Sequence, residues 1–144
     1  MIQQDTIKLL RECDAGVKMG VESINEVLDN VESELFRRRL RDCRTEHEQL
    51  ARDIQAQLIR FNDDGKDPSP IARGMSWMKT NMKLGMEDSD NTVAELMTDG
   101  CNMGVKSLNR YLNQYKAADE YSKDIAKRLI NMEEKLAVDI RQFL

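Results

Sequence analysis

Histidine is almost missing from this chain: His47 is the only one in 144 residues. Aromatic residues make up 5% of the sequence and are not interleaved with basic ones, which excludes a base-stacking nucleic-acid surface. A net charge of −4 points the same way, because non-specific binding to nucleic acid needs a cationic field. No apolar run approaches the roughly 20 residues that span a bilayer. The start, Met1-Ile2-Gln3-Gln4-Asp5, lacks the charged lead and apolar centre of a signal peptide. Cysteine occurs three times, as Cys13, Cys43 and Cys101, an odd count without a CxxC pair. That is a poor disulfide framework and a poor structural zinc site. The expectation is a cytoplasmic protein with neither a membrane span nor a nucleic-acid partner.

What is abundant is helix-forming sequence, rich in Leu, Glu, Lys, Arg, Met and Gln. Spacings of three and four run through Ile7, Leu10, Asp14, Val17, Val21, Ile24, Leu28 and Val31. A second such seam runs through Phe36, Leu40, Cys43, His47, Leu50, Ile54, Leu58 and Phe61. Seams of this period face the interior of a helical bundle. Asp29-Asn30 suits the turn between them, and so short a loop makes the pair antiparallel.

The stretch from Asn62 to Pro70 holds Gly, Pro and Asp together and breaks the pattern. Ser69 and Pro70 suit the cap and first position of a short amphipathic helix with Ile71, Met75, Met78 and Met82 on one face, ended by Gly85. Thr92-Val93-Ala94-Glu95 has capping-box spacing and marks the start of a third long helix. Its seam is Ala94, Thr98, Cys101, Val105, Leu108, Leu112 and Tyr115. A fourth helix follows Asp119, with Ala126, Leu129, Glu133, Leu136, Ile140 and Phe143 inward.

The two halves repeat. Met19-Gly20-Val21-Glu22-Ser23-Ile24-Asn25 matches Met103-Gly104-Val105-Lys106-Ser107-Leu108-Asn109 at an offset of 84, which also aligns Gly16 with Gly100. Glu48 to Ile54 matches Glu134 to Ile140 at an offset of 86. Two consistent offsets indicate a duplicated helical hairpin. The expected organisation is one domain over 1–144, with helix pairs at 5–62 and 91–144 and a crossover at 63–90. A connector of that length can return along a bundle of roughly 40 Å, leaving the second and third helices parallel.

That arrangement, with the crossover Ile71-Ala72-Arg73-Gly74-Met75-Ser76-Trp77-Met78-Lys79 and the acidic link after it, resembles the ferritin-like superfamily. In particular it is similar to bacterial domains of unknown function built as duplicated four-helix bundles. The resemblance implies an all-α, ferritin-like four-helix bundle with a short fifth helix in the crossover. It implies no settled activity.

Ferritin-like carboxylate proteins that bind two metals use a Glu from each of two helices and a Glu-x-x-His from each of the others. No Glu-x-x-His exists here: Arg44 stands three residues before His47, and Leu136 three after Glu133. The repeat aligns His47 with Glu133 and Asp14 with Thr98, one seam position from each helix. Buried polar residues need partners. One reading is a polar layer of Asp14, His47, Thr98 and Glu133 that fixes helix register, with no cofactor. Another is an iron or zinc site with a reduced ligand set drawn from Asp14, His47 and Glu133. Cys43, one turn before His47, could chelate a soft metal with it or simply be a buried thiol. A general acid–base role for His47 is a third reading. Gly16, Gly20, Gly100 and Gly104 each cost a helix about 1 kcal/mol relative to Ala, and the expected return is close packing of the first helix on the third. The functional expectation is a non-catalytic interaction or assembly module, possible as a homo-oligomer, with a metal-binding protein as the alternative.

Overall fold

The computed structural model describes residues 2–68 and 89–144. Its long helices are α1 (Ile2–Leu28), α2 (Glu34–Arg60), α3 (Asp90–Gln114) and α4 (Glu120–Asp139), and a 3-10 turn over Arg141–Phe143 closes the chain. No strand occurs among the described residues. None of the described helices is long and apolar enough to cross a membrane.

The helix starts follow local chemistry. Ser33 caps α2 by accepting from the Phe36 amide, and Asp119 caps α4 by accepting from the Ser122 amide. Ser89 caps α3 through the Thr92 amide, so that helix begins at Asp90, ahead of the expected Thr92 start. Each cap satisfies an amide that the first helical turn leaves without a partner. At the other end, α4 stops at Asp139, and the tighter turn that follows lays Phe143 on Phe36 with ring centroids 4.5 Å apart.

Contacts between helices fix the direction of each. Asp90 accepts from the amides of Glu32 (2.9 Å) and Ser33 (3.0 Å), which sets the start of α3 beside the α1–α2 loop. Asp5 accepts from the Ala117 amide (3.0 Å) and the Thr6 hydroxyl from the Asp119 amide (2.8 Å), which sets the α3–α4 loop beside the start of α1. The order is therefore up, down, down, up: α2 runs parallel to α3, and α1 parallel to α4. Thr6 precedes Asp90 by 84 residues and Ser33 precedes Asp119 by 86, so the two loop anchors correspond under the offsets read in the sequence.

Parallel α2 and α3 require a connection running back along the bundle. Its described beginning does so. Asp63 pairs with Arg11 at 2.8 Å, the Lys66 ammonium pairs with Glu12, and Asp67 pairs with Lys18 at 3.0 Å. The partners climb α1 in sequence order. Gly65 makes the bend with φ +88°, a left-handed conformation suited to glycine. The expected short helix with Ile71, Met75, Trp77, Met78 and Met82 lies outside the described residues.

The interior has two apolar clusters. One gathers Ile24, Val27, Phe36, Leu40, Val93, Met97, Leu136 and Ile140; the other gathers Leu9, Val17, Leu50, Ile54, Leu58, Leu108, Ile125 and Leu129. Between them, each helix contributes one residue that belongs to neither: Gly20, His47, Gly104 and Glu133.

Candidate functional site at the waist of the bundle

This waist is the chemically distinctive part of the interior. Seam spacing on α2 directs His47 inward and leaves it 1% exposed. The antiparallel pairing of α2 with α4 brings Glu133 against it, with Nε2 and Oε1 2.9 Å apart. The other ring nitrogen, Nδ1, lies 2.8 Å from the Cys43 carbonyl oxygen and 3.4 Å from the Cys43 sulfur. A carbonyl oxygen only accepts, so Nδ1 carries a hydrogen. The Glu133 carboxylate also accepts, so Nε2 carries one too. Both nitrogens donating means an imidazolium.

The electrostatics agree. Burial alone pushes the His47 pKa down, but hydrogen bonding to Cys43 and Glu133 and their charge outweigh it, and the value rises from 6.5 to about 10. Cys101 of α3 completes the surroundings. Burial pushes its thiol up, and so do the charge and hydrogen bonding of Glu133.

Glycine makes the waist possible. A Cβ on Gly20 would sit 2.7 Å from His47 Cδ2 and 2.8 Å from Nε2. A Cβ on Gly104 would meet Glu133 at 3.8 Å, and one on Gly16 would meet Leu129 at 3.5 Å. The expected role of these glycines was approach between α1 and α3. The atoms they make room for belong instead to α2 and α4. Gly100 is half-buried on α3.

The proposed polar layer of Asp14, His47, Thr98 and Glu133 divides. His47 and Glu133 meet, but Asp14 does not join them. It is 2% exposed, accepts from the Lys66 amide at 2.9 Å and pairs with Lys18 at 2.9 Å, so it anchors the crossover. The Thr98 hydroxyl is buried with no hydrogen-bond partner. It lies on the α3 turn before Cys101, beside the cluster that contains Val93 and Met97. On α1 it is Gly20, not Asp14, that His47 faces.

A ferritin-like dimetal centre fits these residues poorly. Such a centre draws ligands from all four helices. Here two of the four positions at the waist are glycine, and the remaining two are bonded to each other. Among the described residues, no group of three or more His, Cys, Asp or Glu is arranged to hold a metal ion.

Cys43 borders the waist from outside. It is 7% exposed and lies in a surface groove of about 330 Å³ between α2 and α4, with Arg39, Asp42, Glu46, Lys135 and Asp139 around it. Sequence spacing put Cys43 and His47 on one face; the groove could not be read from it.

Compared with known proteins, the chain matches no family model, no curated protein and no solved structure.

Proposed function

We propose that this chain is a ferritin-like bundle, arisen by duplication of a helical hairpin, in which an ion pair stands where relatives of that fold would hold metal. It serves as a non-catalytic interaction or assembly module of the cytoplasm, working as a homo-oligomer. The observation that carries this reading is the waist. His47 and Glu133 are bonded to each other across it, and with Nδ1 donating to the Cys43 carbonyl His47 has no nitrogen lone pair left for a metal.

The alternative is an iron or zinc protein with a reduced ligand set, and Cys43, Glu133 and Cys101 around His47 are what favour it. It requires His47 to give up either the Cys43 carbonyl or Glu133. Metal analysis of the purified protein, followed by titration with ferrous iron and zinc, separates the two. The proposal expects substoichiometric metal and no saturable site. Stoichiometric metal, lost in both His47→Leu and Glu133→Ala while the helical signal persists, overturns it. Light scattering over a concentration series tests assembly, and a monomer at every concentration removes the homo-oligomer.

A further inference from the structure

Three cysteines share one bundle, yet their surroundings differ in ways that bear on reactivity. Cys13 is fully buried in an apolar cluster, and burial with the nearby Glu12 and Asp14 charges raises its pKa to about 12. Cys101 is 2% exposed and held against the Glu133 charge. Both environments disfavour a thiolate. Cys43 alone has a fixed cation beside it, with the His47 ring 3.4 Å from its sulfur. That ring is fixed in turn by Glu133 at 2.9 Å. Cys43 also lines the α2–α4 groove, whereas the other two thiols do not.

A thiol, an imidazole within reach of it, and a carboxylate orienting that imidazole are the parts of an activated nucleophile. We infer that Cys43 is a modification site: its sulfur, held against the His47 ring, is oxidised to the sulfenic acid by a small hydroperoxide entering the α2–α4 groove. This is independent of the assembly reading, since it requires no turnover.

The Cys43 sulfur attacks the terminal hydroxyl oxygen of the hydroperoxide. The S–O bond forms, the O–O bond breaks, and its electron pair leaves on the departing alkoxide. Sulfur loses two electrons and the peroxide gains them. A proton equal to the one the thiol released converts the alkoxide to an alcohol, or to water when the oxidant is hydrogen peroxide.

The groove suits a small, uncharged oxidant. Its mouth mixes Arg39 and Lys135 with Asp42, Glu46 and Asp139, and Lys135 and Glu46 stand 3.7 Å apart. Neither sign dominates, so no steering of an anion or a cation is built in. The titratable groups around Cys43 are these five in the groove, His47 with Glu133 behind it, and Cys101 from α3. Of them, His47 alone is a buried cation in contact with it.

The test uses the intact chain at neutral pH. Iodoacetamide, and separately hydrogen peroxide with dimedone as the trap, are applied, and adducts are mapped by mass spectrometry. Cys43 is expected to react at least about tenfold faster than Cys13 or Cys101. His47→Gln should slow it by about tenfold or more, and Cys43→Ser should abolish the adduct. Equal rates at the three thiols, no adduct without unfolding, or an unchanged Cys43 rate in a folded His47→Gln protein would overturn the inference. Should His47→Gln fail to fold, the pH profile of wild-type alkylation decides. A rate that persists well below about pH 8.5 supports activation by the His47 ring. A rate that climbs tenfold per pH unit toward about 8.5 does not.

Discussion

The His47 ring occupies the space into which a side chain on Gly20 would grow: the nearest ring carbon would lie 2.7 Å from a Cβ there. The ring cannot swing away, because Nδ1 and Nε2 are both bonded, to Cys43 and to Glu133. Gly20→Ala is therefore expected to destabilise by about 1–3 kcal/mol, as overpacking does. Helix propensity alone would have stabilised by about 1 kcal/mol. Gly104→Ala, with its nearest atom at an ordinary 3.8 Å, is expected to be neutral or stabilising by up to about 1 kcal/mol. Urea denaturation of the two variants checks the opposite signs.

The ion pair makes a prediction about its own removal. His47→Leu leaves Glu133, 13% exposed, facing an apolar group, and should cost about 3–5 kcal/mol. The double variant His47→Leu/Glu133→Leu should recover much of that, since a buried pair is often replaced by apolar residues at little cost. A double variant no more stable than His47→Leu alone would mean that the pair stabilises well beyond offsetting its own desolvation.

Stability should fall with alkali. The His47 pKa is raised from 6.5 to about 10 on folding. Its contribution is present in full below the unfolded value and is lost as pH climbs through the folded one. Thermal melts from pH 7 to 10.5 should show Tm dropping faster in the wild type than in His47→Leu/Glu133→Leu. Parallel curves would show that His47 contributes nothing to the pH dependence.

The crossover should depend on Asp14. Asp14→Ala removes the acceptor for the Lys66 amide and a partner of Lys18, with an expected loss of about 1–3 kcal/mol. Gly65→Ala should act at the same place, because a Cβ there would collide with the Asp14 carboxylate and Gly65 has φ +88°. Limited proteolysis should cut both variants after residue 60 sooner than the wild type. An unchanged digestion pattern would argue against this anchoring role.

Much of the architecture was legible because seam spacing and capping chemistry are local. Leu40, Leu50, Ile54 and Leu58 of α2 are buried as their spacing implied, and Asp119 caps α4. The contact between His47 and Glu133 was foreshadowed by their alignment in the two halves, 86 residues apart. What the sequence hid is long-range. Register between α1 and α2 depends on the loop, where Val31 is buried and Ser33 is extended, and spacing carries no record of that shape. Asp14 looked like a bundle ligand because the amide that claims it, at Lys66, carries no side-chain signature. The place of Cys101 beside Glu133 could have been sought from the neighbouring turn of Gly104, one residue type that marks where a larger group must fit.

The correspondence of the two loop anchors has a consequence for the waist. Residues related by the offset of 86 and touching each other, as His47 and Glu133 do, sit where the relation maps each onto the other. Two separate, identical hairpins assembling in this way would confront that residue with its own copy, acid against acid or base against base. Buried like charges repel, so a free-standing pair of hairpins would have had to keep the place neutral. Opposite charges there need two different residues, and a single chain that carries both hairpins supplies them.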